Sequence, residues 1–191
     1  MLNETDESCR ITGKRIAAHE KLMTETAPKN ERFLDQGTKI YDFYEEFLVV
    51  CPKCGGRAKV VIDEAEFVKL STRKLLKYRN QFYAPRRLIC LSCLHRDLWK
   101  GNQILTGTSV DWYFRLPLWL QISCGGEVLW AYNQKHLEML ESYVSAKLRE
   151  RTVKGRNSFL SKLPKWIKSA KNRDEILKAI GKLKEKLNGK S

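Results

Sequence analysis

Residues 41–56 read YDFYEEFLVVCPKCGG and residues 82–93 read FYAPRRLICLSC. Each stretch is a run of aromatic and branched residues that feeds directly into Cys-x-x-Cys, with Cys51 and Cys54 in the first and Cys90 and Cys93 in the second. Such runs favour strands, because ring and branched side chains pack well on a pleated surface. One tight turn can deliver two thiolates to a tetrahedral Zn²⁺ at about 2.3 Å, and two such turns complete its coordination. Pro52 restricts the first turn, while Gly55 and Gly56 relieve crowding where the backbone folds under the sulfurs. One structural Zn²⁺ on Cys51, Cys54, Cys90 and Cys93 is therefore expected. Four protein thiolates leave no position for water or substrate, which argues against a zinc hydrolase. A redox dithiol would need only one of the two pairs. The 35 residues between Cys54 and Cys90 exceed the about 15 to 20 usual for paired motifs, so an insertion between the ribbon strands is expected.

Working outward, KVVI at 59–62 reads as a second strand. Residues 63–80 read as a helix, with Asp63, Glu64 and Glu66 at its N-terminal end and Lys69, Arg73, Lys74, Lys77 and Arg79 toward the other. Residues 117–122 and 128–132 form a hairpin around Ser123, Cys124, Gly125, Gly126 and Glu127. Asn133 can cap a helix on which Leu137, Leu140, Tyr143, Val144 and Leu148 make one apolar stripe. Gly155 and Pro164 then predict a loop and a short helix. Asn172 with Glu175 reads as a capping pair for a last amphipathic helix carrying Ile176, Ile180, Leu183 and Leu187. The expected class is α+β: a zinc ribbon or small antiparallel sheet with an insertion, followed by C-terminal amphipathic helices. The divisions are a polar arm over 1–32, a β-rich ribbon region with insertion and hairpin over 33–132, and a basic helical region over 133–191 that packs on it.

Composition narrows the partner. The 191 residues hold 36 Lys and Arg against 22 Asp and Glu, a formal charge of +14, with 42% hydrophobic residues. A chain this apolar is no disordered basic tail. It has no apolar run of about 18 residues, and acidic residues stand where a secretory leader would be basic and then apolar, so a cytoplasmic protein is expected. The excess charge is concentrated: residues 51–102 hold twelve bases against four acids, and residues 147–191 fifteen against four. Neutralising phosphates releases counterions, so two basic blocks point to DNA or RNA. The expected phosphate contacts are Arg73, Lys74, Lys77, Arg79, Arg86, Arg87, Lys165, Lys168 and Lys171. The alternative is a protein-interaction module that recruits a transcription or replication machine. A membrane partner is disfavoured, because the last helix lacks interfacial Trp or Phe.

The order strand, CPxCGG, intervening segment, LICxxC resembles a zinc ribbon of the transcription-factor-IIB type. The stretches PLWLQISCGGEVLWAYNQKHLEMLESYVSAKLRER (117–151) and LPKWIKSAKNRDE (163–175) are similar to a family of uncharacterised bacterial zinc-ribbon proteins of this length. The resemblance implies the four cysteine ligands and lends no activity.

The remaining reactive residues read blandly. Cys124 is expected as a buried or turn thiol, or as a group near the metal, and Cys9 as a free thiol. His95, two residues past Cys93, could replace a metal ligand but reads rather as exposed or strand-paired, His136 reads as a surface residue, and His19 lies in the arm. Trp119 and Trp130 read as cross-strand core, whereas Trp99 and Trp166 are better placed to stack on a base. Asp111 and Arg115 read as a structural ion pair. No Gly-rich phosphate loop, G-x-S-x-G or H-E-x-x-H occurs, so no enzyme is expected.

Overall fold

A computed structural model describes residues 32–66, 82–101, 103–152 and 158–189. Among them the strands are β1 (Arg32–Asp35), β2 (Glu46–Val50), β3 (Arg57–Ile62), β4 (Arg86–Cys90), β5 (Arg96–Trp99), β6 (Leu120–Cys124), β7 (Glu127–Ala131) and β8 (Leu148–Arg151). The α-helices are α1 (Gln134–Ser145), α2 (Lys165–Lys168) and α3 (Arg173–Leu187). The chain is α+β, as its sequence led one to expect.

β2, β3, β4 and β5 form an antiparallel sheet in that order, with Val50 opposite Arg57, Ala58 opposite Cys90 and Ile89 opposite Arg96. Each cysteine pair thus sits in a turn between neighbouring strands. The aromatic run at 41–50 is not one strand: Ile40–Phe43 is a 3₁₀ turn, closed by the Asp42 carboxylate accepting from the Lys39 N–H at 2.8 Å. That turn drives Phe43 into the core before β2 begins. Similarly, only the end of 82–89 is extended, as β4. The Asp63 side chain caps the helical turn at 64–66, accepting from the Glu66 N–H at 3.3 Å, and the rest of the expected helix lies outside the described residues.

β2 is buried on both faces, and its second edge is also closed. The Leu48 N–H donates to Tyr132 O, the Trp119 N–H to Leu48 O and the Val50 N–H to Pro117 O, at 2.8, 2.8 and 2.9 Å. The expected hairpin is β6–β7, shifted by about two residues because Gly125 and Gly126, at φ +60° and +81°, supply the two-residue turn that only glycine adopts without strain. α1 starts at the predicted cap, with Asn133 Oδ1 accepting from the His136 N–H at 2.9 Å. It ends at Ser145, so Leu148 does not extend its stripe. Leu148 lies on β8, 45% exposed, in parallel pairing with β1. α3 buries Ile176, Ala179, Ile180 and Leu183 against β6 and α1. Asn172 makes no side-chain cap hydrogen bond: its backbone is already helical, at φ −95° and ψ 0°, rather than extended as at Asn133, and its amide donates to Trp166 O at 3.0 Å. One core joins the four-stranded sheet, the hairpin, α1 and α3, centred on Phe47, Trp112 and Tyr132, whose ring centroids lie 5.1 to 5.5 Å apart. Among the described residues no helix is long and apolar enough to cross a membrane.

Candidate metal centre

The sulfurs of Cys51, Cys54, Cys90 and Cys93 lie within 4.8 Å of one another and could hold a metal ion. Cys51 Sγ is 3.8 Å from Cys93 Sγ, and Cys54 Sγ is 3.5 Å from Cys90 Sγ. A tetrahedron with metal–sulfur bonds of about 2.3 Å has edges of about 3.8 Å, so the spacing fits a thiolate-bound metal. In each pair the first cysteine is buried and the second exposed, which sets the site at the sheet's end with one side toward solvent.

The backbone is shaped to hold these sulfurs. The N–H groups of Lys53 and Gly56 donate to Cys51 Sγ and Cys54 Sγ, each at 3.4 Å, and those of Ser92 and Cys93 donate to Cys90 Sγ at 3.3 and 3.4 Å. Such donors favour the thiolate and fix its direction. The turns close through Cys51 N–H to Gly56 O and Cys90 N–H to His95 O, both 2.8 Å. The residue after each second cysteine is left-handed: Gly55 at φ +72° and Leu94 at φ +59°. Gly56 has no room for a side chain, since a Cβ there would stand 2.6 Å from Ser92 Oγ.

The sulfurs also compete for charge. The Cys93 N–H first, with the Ser92 N–H and the neighbouring thiols, draws the Cys90 thiol down to about 6. Cys93 is pushed up to about 12: a backbone hydrogen bond from His95 lowers it, but the Cys54, Cys90 and Cys51 sulfurs and burial outweigh that. Four thiolates at this spacing need a cation among them.

The other candidates fall into place around this cluster. His95 contributes its carbonyl and is not one of the converging groups. Cys124 is buried at the hairpin turn, its thiol pushed up by burial and then by the charge of Glu175, and it is not part of the cluster. Asp111 is no partner of Arg115. It is fully buried and accepts from the N–H groups of Tyr113, Phe114 and Leu116 at 2.9, 2.8 and 2.6 Å. His136 is in the core, not on the surface, between the rings of Phe43, Phe159 and Trp130.

The expected phosphate contacts divide sharply. Arg86 is a correction: it is 0% exposed, its guanidinium donating to Tyr44 O at 2.9 Å and lying 4.4 Å from the Tyr113 ring centre, and burial lowers its pKa. A side chain enclosed by aromatic rings cannot reach a phosphate. Arg87 is half-exposed and grips the buried Asp63 through Nε and Nη2, at 3.2 and 2.8 Å. Lys165 and Lys171 are exposed, while half-buried Lys168 donates to Ser161 O at 2.7 Å. Arg73, Lys74, Lys77 and Arg79 lie outside the described residues.

Much of the C-terminal charge has an internal use that residue counts do not reveal. Arg149 donates to the carbonyls of Tyr143, Val144 and Lys168, and Arg173 to those of Val144 and Ala146, so two guanidinium groups cover the end of α1. Lys186 donates to Trp119 O at 2.8 Å and sits 4.2 Å from that ring's centre. Trp119 and Trp130 are half-buried but do not face each other; Trp130 packs on Tyr132 and His136. Trp99 lies edge-on to Tyr113, and Trp166 is half-buried on α2. No protein-family model, curated protein or solved structure matches the chain.

Proposed function

We propose that the cysteine cluster holds one structural Zn²⁺ and that the protein is a non-enzymatic zinc ribbon, of the kind its motifs resemble, that binds nucleic acid through exposed basic side chains. Four thiolates complete the metal's coordination, so the ion supplies shape rather than chemistry. The observation that carries the reading is the contact between Arg57 and Leu187. Arg57 follows the first cysteine loop, and its guanidinium donates to the last carbonyl of α3 at 2.5 Å. The start of the first basic block and the end of α3 therefore adjoin, so a polyanion could span both. Exposed Lys53 stands in that cysteine loop, and exposed Lys182 lies five residues before Leu187. Because several arginines are engaged internally, lysines dominate the exposed charge of the C-terminal block. Lysine acts as a point charge rather than a fork, which favours sequence-independent contacts.

The test is binding of the purified protein to single-stranded DNA, duplex DNA and RNA across a salt series. Affinity should fall linearly on logarithmic axes between about 50 and 200 mM salt. Reversing Lys165 and Lys171 together (Lys165→Glu, Lys171→Glu) should reduce that slope by about 2, near one unit per lost phosphate contact. Binding that ignores salt, or that is absent from the folded protein, overturns the proposal. A second reading has its own observation: Leu91, Leu94 and Leu98 are 46%, 72% and 38% exposed along the second cysteine loop and β5. A nuclease-insensitive, stoichiometric protein partner that Leu94→Asp releases would select that reading instead.

A further inference from the structure

A cavity of about 490 Å³ opens between the turn at 40–43, β7, α1 and residues 159–167, away from the cysteine loops. That volume falls in the range of small-ligand sites, about 300 to 1,000 Å³. Its polarity is graded from floor to mouth. Leu140, Phe159, Leu163 and Ile167 line it and are themselves buried. Tyr41 and Val128 line it as well, yet they are 43% and 52% exposed, so their apolar surface stands at the mouth in contact with water. Two exposed lysines, Lys39 and Lys162, complete the lining there. Neither is ion-paired to a described residue. Among the described residues no acidic side chain lines the cavity, and the neighbouring Asp42 carboxylate accepts from the Lys39 N–H at 2.8 Å.

These features select an occupant by polarity and charge. Covering wet apolar walls favours any apolar body. A neutral body leaves two unopposed cations at its edge, and a cationic one adds a third charge to them. A phosphate is a poor match, because the lining holds no arginine fork and the two lysines act as point charges. A singly charged anionic head on an apolar body meets what both the walls and the mouth offer. We propose that the cavity binds a small amphipathic carboxylate, its alkyl or aryl body against Leu140, Leu163 and Ile167 and its carboxylate between Lys39 and Lys162. This site depends neither on the nucleic-acid reading nor on the cysteine cluster.

The test titrates decanoate, decanol and decyltrimethylammonium, each below its micellar concentration, into the full-length protein, with binding read by calorimetry. Decanoate should bind tightest and decyltrimethylammonium weakest. Reversing both mouth lysines (Lys39→Glu, Lys162→Glu) should weaken decanoate at least about tenfold, the combined worth of two exposed ion pairs, and leave decanol unchanged. Because the chain carries +14 overall, a second double variant controls for net charge. Lys178→Glu with Lys182→Glu makes the same charge change at exposed positions of α3 outside the cavity, and it should bind decanoate as the wild type does. Methyl NMR locates the site: decanoate should shift the Leu140, Leu163 and Ile167 resonances. Absence of decanoate binding, decanol binding as tightly as decanoate, or equal losses in the two double variants overturns the proposal. Methyl shifts confined to the exposed Leu91, Leu94 and Leu98 overturn it too, since they place the ligand on the second cysteine loop and β5 instead.

Discussion

His136 shows what a single residue's surroundings do to its chemistry. Three residues into a helix it reads as solvated, yet Asn133 turns that first turn inward, and the imidazole stacks on Phe43 with ring centres 4.6 Å apart. Burial holds its pKa down at about 3, against 6.5 for an ordinary histidine. The unfolded chain therefore takes up a proton below pH 6.5 that the folded chain refuses until about pH 3. Stability should fall by about 1.4 kcal/mol for each pH unit across that window. His136→Phe should remove this slope while keeping an aromatic ring in the stack. Urea unfolding at pH 7, 6 and 5 checks it: slopes equal in wild type and variant would mean the imidazole is not held neutral by the fold. The four cysteines, by contrast, were legible from identity alone, because only thiolates at that spacing build the site. Arg86 and His136 were not, since whether a polar residue is buried depends on aromatic neighbours distant in sequence.

Asn133 operates at the scale of elements. Its oxygen caps α1, and its amide donates to Phe43 O and Glu46 O at 3.1 and 2.8 Å, so one side chain joins the start of α1 to the segment entering β2. Asn133→Ala should destabilise the protein by about 2 to 3 kcal/mol, the sum of a cap near 1 and stranded buried carbonyls. Asn133→Asp keeps the cap and loses both donors, so it should cost less in the cap but still lower the urea midpoint. An alanine variant within about 0.5 kcal/mol of wild type would show that water replaces these bonds. The cap, the Gly125-Gly126 turn and the strands entering the cysteines were readable because each signal is local. The β1–β8 pair was not: RFLD and LRER are short, charged and separated by more than a hundred residues, and only the packed core brings them side by side. β5 was missed for a related reason, since RDLW is mostly exposed and takes its extended form from its pairing with β4. The Asn172–Glu175 pattern failed because Asn172 itself takes helical φ and ψ, so its side chain makes no cap hydrogen bond and its amide donates to Trp166 O.

For the whole molecule the governing fact is that the sheet carrying the cysteines shares its core with the hairpin, α1 and α3. β2 pairs with β3 on one edge and with residues 117–119 and Tyr132 on the other, and its Phe47 packs on Trp112 and Tyr132. Arg57 ties the first cysteine loop to the end of α3. The four-stranded sheet therefore cannot open without withdrawing contacts from the hairpin and helices. Structural Zn²⁺ at a four-cysteine site contributes on the order of 10 to 16 kcal/mol, and a domain of this size is stable by about 5 to 15 kcal/mol in total. Losing the proposed ion removes as much stability as the fold possesses. Purification without chelator should give about one Zn per chain, and Cys54→Ser or added chelator should unfold α1 and α3 together with the sheet. Far-UV circular dichroism, which follows the helices, and tryptophan emission, dominated by the shared core, should then change in one coincident transition. Helical signal surviving after the metal has left would mean that the C-terminal helices fold without the ribbon, and metal content well below one per chain would remove the ion on which the argument turns.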